Sequence, residues 1–411
     1  MLQNEIYKLK HYFGEPTKTA LYGVSFNQYD QKEDAVFAVV GGRNVIIGHF
    51  ENNKTVALNI LQTYVDENET ENYYCCAWSF DPNTGAPWLA VAGSTGLVKI
   101  INTSLGHIAQ TLTGHGDANF SIRLWNVITS TPIVIFGGEC GHREPDVHLS
   151  GDFLVSSGMD HAVKIWSLCT PVIKNTIESS FKAKPPSSLR NQQNQTQSCC
   201  KSNGYTSTPL FIHFPIFSTA QLHNNYVDCV RWYGDLLMSR CAADAKILLW
   251  KPDVELVASD KSTVTTTIVG GPAQPTSFEM ICEFEFEQCD IWFLRFGISQ
   301  DYKFLATGNQ VGQIFLWDLQ EIPYFINSYI EKKKLKSTGI KMDKTVNNGE
   351  NIDKKICKPA VLDVDICDST IRQVAFSKNR QWMITVCDDA TVWGWKLNRE
   401  ISGQQAGSKM K

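Results

Sequence analysis

No Cys-x-x-Cys spacing occurs among the thirteen cysteines of this 411-residue chain, and Met1 to Lys10 contain no apolar core of the kind that directs secretion. No disulfides are therefore expected, and reduced thiols inside the cell, in cytosol or nucleus, are. The adjacent pairs Cys75-Cys76 and Cys199-Cys200 lack zinc-ligand spacing. No apolar run is long enough to span a bilayer, which argues against a membrane segment. Charge of either sign is not in large excess: the formal net charge is −4, with 19% charged residues. That balance gives no general attraction to nucleic acid or anionic membrane, so any basic partner site must be local. Also missing are a Gly-x-x-x-x-Gly-Lys-Ser/Thr phosphate loop, a Gly-x-Ser-x-Gly elbow and a His-Glu-x-x-His helix. Catalysis has no visible seat, and neither a cofactor nor a metal is expected.

What the chain does have is short β-rich runs ending in turns. Val36-Phe37-Ala38-Val39-Val40 stops at Gly41-Gly42, and Trp88-Leu89-Ala90-Val91-Ala92 stops at Gly93-Ser94. Three-residue closers recur as Arg123-Leu124-Trp125, Lys164-Ile165-Trp166, Leu248-Leu249-Trp250, Phe315-Leu316-Trp317 and Trp393-Gly394-Trp395. In three of them an Asp stands six residues before the Trp (Asp160, Asp244, Asp389), and Gly114-His115 and Gly141-His142 open two units. These are WD-repeat marks. In a four-stranded blade the Asp tightens a turn while the Trp packs between neighbouring blades, and His115 and His142 read as hydrogen-bonders within their blades. The expected fold is all-β, a seven-bladed WD40 β-propeller, with an ordinary β-sandwich as the competing fold.

Seven units begin near Leu21, Tyr73, Gly114, Gly141, His223, Gln288 and Asp368. Residues 1–20 form a polar N-terminal flank able to supply one strand, 21–398 the propeller, and 399–411 a tail. Two inserts, 183–210 and 324–367, are expected to be flexible on composition. Stretch 331–355 of the second holds eight Lys against four acids. It reads as a solvated loop, against a nuclear-import or weak nucleic-acid contact. From Ile101, which closes the second unit, to Trp125, which closes the third, is only 24 residues, where a blade needs about 40. The third blade is therefore expected to be incomplete, lacking two strands. The fourth unit is also tight, with Pro145 in its inner strand.

One register position stands out. Four residues before the aromatic that ends each of five inner strands lie Tyr22, Tyr74, Asp228, Trp292 and Arg372. Inner strands of a propeller run the same way along a central channel, so equivalent positions form a ring at one mouth. Trp292, with Phe293 beside it, is expected to begin the inner strand of unit six. Units six, seven, one and two become neighbours on closure, which would set Trp292, Arg372, Tyr22 and Tyr74 along one arc. Asp228 falls across the ring and is expected to be a bystander. Aromatic faces around a cavity suit a quaternary ammonium group such as methylated lysine; strand-end aromatics that merely pack are the competing explanation.

The runs Leu21-Tyr22-Gly23-Val24-Ser25-Phe26-Asn27, Gln62-Thr63-Tyr64-Val65-Asp66, Glu71-Asn72-Tyr73-Tyr74-Cys75-Cys76-Ala77-Trp78, Ile212-His213-Phe214-Pro215, Asn225-Tyr226-Val227-Asp228-Cys229-Val230-Arg231-Trp232, Cys289-Asp290-Ile291-Trp292-Phe293 and Val386-Cys387-Asp388-Asp389-Ala390 together resemble the Polycomb WD40 family of extra sex combs and embryonic ectoderm development protein. The match covers most of 21–398. The resemblance implies a non-catalytic nuclear subunit of Polycomb repressive complex 2 that binds the trimethyl-lysine of histone H3 and stimulates a SET-domain methyltransferase of the enhancer-of-zeste type. It carries the family's methyl-lysine cage onto Tyr22, Tyr74, Trp292 and Phe293, with Arg372 in contact with the peptide. Tyr22 stands where Phe is expected and Phe293 where Tyr is usual, and both keep a π face. A WD40 adaptor without a methyl-lysine site, such as a ubiquitin-ligase substrate receptor, is the alternative from another class.

Missing strands in the third blade expose the flanks of blades two and four. Reinserting a typical strand pair between Asp117 and Ser121 is expected to raise the midpoint of thermal denaturation by many degrees; an unchanged midpoint would contradict the blade count.

Overall fold

A computed structural model describes residues 6–29, 35–50, 58–115, 121–137, 142–182, 208–256, 276–320, 322, 355–362 and 367–398. Gly116, Asp117, Gly141, the pair Cys199-Cys200, most of both inserts (183–207, 324–354 and 363–366) and the tail 399–411 lie outside the described residues.

Seven sheets follow one another around a ring. Blade one is Gly23–Phe26, Ala35–Gly41, Asn44–Phe50 and Leu58–Val65. Blade two is Tyr73–Phe80, Pro87–Gly93, Val98–Asn102 and His107–Leu112. Blade four comprises His142–Val147, Phe153–Gly158, Val163–Ser167 and Phe217–Thr219. Blade five has Val227–Tyr233, Leu236–Cys241, Lys246–Pro252 and Phe278–Glu285, with Lys355–Cys357 added parallel at its outer edge. Blade six has Gly297–Ile298, Phe304–Gly308, Ile314–Asp318 and Ala360–Leu362. Blade seven is Ile371–Phe376, Trp382–Cys387, Thr391–Leu397 and Tyr7–Gly14, the last paired antiparallel to Thr391–Leu397. The polar flank before Leu21 thus supplies the strand that closes the ring.

Strands buried on both faces read as continuous apolar runs rather than alternating ones, and Ala35–Gly41 is buried along nearly its whole length. The closing tryptophans fill the blade boundaries as the repeat demands. Trp166 of blade four meets Phe136 of blade three at 5.5 Å, and Trp250 of blade five meets Phe217 of blade four at 5.9 Å. Trp317 of blade six lies 6.2 Å from Phe286, just past the last strand of blade five. In blade five a hydrogen-bonded brace runs through the sheet: Trp250 Nε1 donates to Ser239 Oγ (3.0 Å), which meets His223 Nε2 (2.8 Å), while His223 Nδ1 meets Asp244 (3.0 Å). That hydrogen bond from His223 holds the Asp244 carboxyl below the usual carboxylate range. Blade seven carries Cys367 where blade five has its histidine, and Thr385 Oγ1 and Trp395 Nε1 are buried there without a hydrogen-bond partner among the described residues.

Blade three keeps Ile122–Asn126 and Thr131–Phe136 as an antiparallel pair. Trp125 lies on the first of these, and in blades four to seven the closing Trp lies on the third strand. Among the described residues, blade three thus has no counterpart of the two inner strands of its neighbours. Leu210–Ile212, returning from the first insert, pairs parallel to Thr131–Phe136 at the outer edge. A helix, Pro171–Ser180, covers the same blade; Thr170 caps it by accepting from the Ile173 amide, Pro171 opens it, and Ser180 receives a hydrogen bond from Asn126 (2.8 Å). Blade two meets this remnant through Gln110, which accepts from the Ser130 hydroxyl (2.7 Å), and within the third unit the ring of His115 lies beside Trp125 at 6.4 Å. Pro145 sits opposite Ser156 on the channel-side edge strand of blade four, the place in a sheet where proline is tolerated.

Closure rests on Tyr7, which is 1% exposed, packs against Phe304 and Phe376, and donates its hydroxyl to Arg380 O at 2.7 Å. Replacing it by Ala is expected to lower unfolding stability by about 3–5 kcal/mol in a denaturant titration, the range for emptying a buried aromatic site.

Candidate functional site

The inner strands of blades two, five and seven each carry a register shift near their start, between Tyr73 and Cys75, Val227 and Cys229, and Ile371 and Gln373. The residue skipped in each case is Tyr74, Asp228 or Arg372. A bulge of this kind frees one residue from the ladder and re-aims its side chain. Tyr22 precedes the inner strand of blade one, with its amide on Val40 O. The equivalent positions meet as expected, but the agent is the bulge rather than simple strand alternation.

Blade six departs further from the expectation. Its inner strand is only Gly297–Ile298, and Trp292 and Phe293 lie on the preceding loop. Phe293 has φ +67°, a left-handed conformation that a residue with a β-carbon rarely adopts. Trp292 thus sits on a loop, where the two-residue alternation of a strand does not set the direction of its side chain.

Four rings converge at this mouth. Tyr22 lies 5.4 Å from Tyr74 and 5.8 Å from Phe293; Tyr74 lies 6.0 Å from Phe293, and Trp292 lies 5.7 Å from Phe293. All four pairs are steeply inclined, between 62° and 77°, so the rings form walls rather than a stack. Trp292 is 52% exposed and the others are half-buried. Burial, with the nearby Asp388 carboxylate, raises the Tyr22 phenol above its ordinary pKa while Arg372 opposes the shift, leaving a neutral ring at neutral pH.

Three arginines fix the arrangement. Arg372 makes a two-pronged pair with Asp388 (2.6 Å for each contact), donates to Trp292 O (3.0 Å), and lies 5.8 Å from the Tyr22 ring. Buried Arg295 stacks on Phe293 at 4.4 Å and donates from Nη2 to Tyr74 O (2.5 Å) and Tyr22 O (3.2 Å). One side chain of blade six thus holds the backbones of blades one and two. Its own amide donates to Arg372 O (2.8 Å), and Gln373 Oε1 accepts from the Val24 amide (3.0 Å), lacing six to seven and seven to one. Gly23 fits closely in this arc: a β-carbon there would meet Val40 Cγ2 at 2.7 Å and Tyr74 O at 3.0 Å. Arg240 of blade five contacts the loop 289–294 from the other side.

Asp228 corrects an expectation outright. Far from being a bystander across the ring, its Oδ2 accepts the Phe293 amide at 2.6 Å and pairs with Arg240 Nη1 at 2.5 Å. Burial pushes its carboxyl up, and Arg240 and the Phe293 amide oppose that. Blade five adjoins blade six, so the position next along the arc touches the cluster. Arg240, Arg295 and Asp388 escaped the reading of the sequence. The available signal was a lone Arg inside each of the apolar runs Leu236–Cys241 and Leu294-Arg295-Phe296, since buried arginine needs partners.

His223, Cys241 and Asp244 form the one group with metal-ligand character among the described residues, with candidate ligand atoms within 4.8 Å of one another. Both ring nitrogens of His223 are already engaged in bracing blade five, so the group reads as structural.

The model of the WD domain, G-beta repeat family matches residues 139–167 and 363–396. The Polycomb protein esc of Drosophila melanogaster is 32% identical over 425 residues, covering 96% of this chain and 85% of the fly protein. A chain in the crystal structure of the Chaetomium thermophilum polycomb repressive complex 2 superposes with TM-score 0.70 at 19% identity, covering 96% of this chain and 98% of that one. A further solved structure, of ctPRC2 in complex with H3K27me3, gives TM-score 0.70 at 20% identity, covering 96% and 98%. At these identities the solved structures speak to the fold.

Arg295 and Trp292 should separate in their effect on stability. Arg295→Met strands two buried carbonyls and is expected to lower unfolding stability by roughly 3 kcal/mol, whereas Trp292→Ala, at a half-exposed site, should change it by less than about 1 kcal/mol, both read by denaturant titration.

Proposed function

Because the chain belongs to the family of the Polycomb protein esc, we propose that it is a non-catalytic, nuclear WD-repeat subunit of a Polycomb repressive complex 2, reading trimethyl-lysine of histone H3 through Tyr22, Tyr74, Trp292 and Phe293. The observation that carries the reading is the four-ring cluster at one mouth of the channel, with Trp292 half exposed at its rim. A trimethylammonium group has no N–H to satisfy and spreads its charge over three methyl groups. It therefore leaves water easily and gains about 0.5–2 kcal/mol from each ring it meets. An unmethylated ammonium gives up strong hydration on entering the same rings and finds no replacement partner there. A relative in fold was solved in complex with H3K27me3, in keeping with this ligand.

Scaffolding is the second half of the reading. The opposite ends of the strands expose Tyr29, Phe80, Leu105 and Leu149, with Tyr29 and Phe80 in contact at 5.3 Å. In this reading a SET-domain methyltransferase of the enhancer-of-zeste type docks at that end, against exposed side chains such as Tyr29 and Phe80, while the cage end meets the histone. Ligand and enzyme then share one rigid body, through which occupancy of the cage stimulates the methyltransferase.

Calorimetric titration with histone H3 peptides differing only in methylation tests the cage. Wild type is expected to favour the trimethylated peptide at least ~10-fold, the product of one or two good ring contacts, and Trp292→Ala or Tyr74→Ala to reduce that preference to within ~2-fold. Equal binding of both peptides by folded wild type would overturn the reader assignment, and co-purification of a cullin adaptor in place of a methyltransferase would overturn the scaffold assignment.

A further inference from the structure

Arg240 belongs to the second strand of blade five, yet nearly all its polar contacts lie on a loop of blade six. It is fully buried at 0% exposure. Nη2 donates to Cys289 O (2.6 Å) and Ile291 O (2.9 Å); Nη1 pairs with Asp228 Oδ2 (2.5 Å) and reaches Leu294 O (3.5 Å). Asp228, held by that guanidinium, turns its carboxylate to the Phe293 amide (2.6 Å). Between them the two side chains grip residues 289, 291, 293 and 294. These bracket the two ring-bearing residues of the loop.

A buried ion pair is a poor source of stability, because stripping water from both charges offsets their attraction. This pair commits its hydrogen bonds to one neighbouring loop, and that loop contains Phe293 in a left-handed conformation at φ +67°. Such a conformation persists only where its surroundings over-determine it. Arg295 stacks on the Phe293 ring and Arg372 takes the Trp292 carbonyl. Neither constrains the Phe293 amide or the carbonyls of 289 and 291. Among the described hydrogen bonds, those constraints come from Arg240 and Asp228 of blade five.

We propose that Arg240, acting with Asp228, is a positioning residue that holds the cage loop in its binding shape before any ligand arrives. The inference rests on the cage reading for its functional consequence and on geometry alone for the loop. A ligand that needs an assembled cage binds with an affinity scaled by the fraction of molecules already assembled. Loosening the loop therefore weakens trimethyl-lysine binding without touching any ring that contacts it.

The test is the double variant Asp228→Asn with Arg240→Met, which removes both charges and leaves no lone buried ion. It leaves the carbonyls of Cys289 and Ile291 without their donor and is therefore expected to lower the melting temperature by several degrees while the protein stays folded. Amide hydrogen exchange at residues 291–294 in the unliganded protein should accelerate at least ~10-fold, and trimethylated histone H3 peptide should bind at least ~10-fold more weakly, with unmodified peptide unaffected. Arg240→Lys keeps the charge opposite Asp228 but loses the fork; it should fall between wild type and the double variant on both readouts, and it carries the test if the double variant does not fold. Unchanged exchange at 291–294 relative to the rest of blade six in the folded variants would overturn the proposal. So would trimethyl-lysine binding of wild-type strength. If wild type itself fails to bind trimethylated peptide, the cage reading falls while the exchange measurement still decides the role of Arg240.

Discussion

Ring closure by Tyr7–Gly14 on Thr391–Leu397 is the constraint from which the rest follows. Two of the four rings at the mouth come from blades one and two and two from blade six, more than two hundred residues further along the chain, and Arg372 comes from blade seven. Only when the first strand completes the last sheet do these blades become neighbours. Arg295 then reaches the carbonyls of Tyr22 and Tyr74, and Gln373 reaches the Val24 amide. The aromatic cluster is thus a property of the closed ring and of no single repeat.

Against that tightly laced arc stands the loose one. Packed hydrophobic clusters span the boundaries from blade three round to blade two. No such cluster of described residues spans the boundary between blades two and three, where Ser130 donates to Gln110. Repeat architectures bury surface mainly between nearest neighbours, so losing the inner half of one unit weakens its own boundaries and leaves distant ones alone. Leu210–Ile212 and the helix Pro171–Ser180 shelter the outer part of blade three. The face carrying the rings lies on the intact side.

The mouth is also organised by charge kept out of water. Arg295 and Arg240 are buried, and each directs its guanidinium chiefly at backbone carbonyls of neighbouring blades or loops. Carbonyls at strand ends have no ladder partner and would be costly to leave unmet. A planar fork answers several at once, in fixed directions. This explains how a short inner strand, Gly297–Ile298, suffices in blade six: hydrogen bonds from side chains replace the ladder that the loop 289–294 does not make.

Much of this was legible in the chain. The recurrent Trp closers marked blades three to seven and their order, and the β-rich runs ending in Gly turns at Gly41-Gly42 and Gly93-Ser94 marked blades one and two, because period and turn chemistry are local. The short span between Ile101 and Trp125 located the damaged blade, because a strand needs a minimum length of chain. The positions of Tyr22, Tyr74 and Arg372 were also legible, since each sits at a fixed distance from a buried strand-end aromatic. Whether those residues face the mouth was decided in three dimensions, by bulges at Tyr74 and Arg372 that no periodicity records. The left-handed Phe293, the reach of Asp228 to its amide, and the guanidinium of Arg240 closing over a loop of the next blade belong to the tertiary structure alone. They depend on which backbone groups two blades bring within hydrogen-bond distance, and that distance is set by packing across the ring rather than by spacing along the chain.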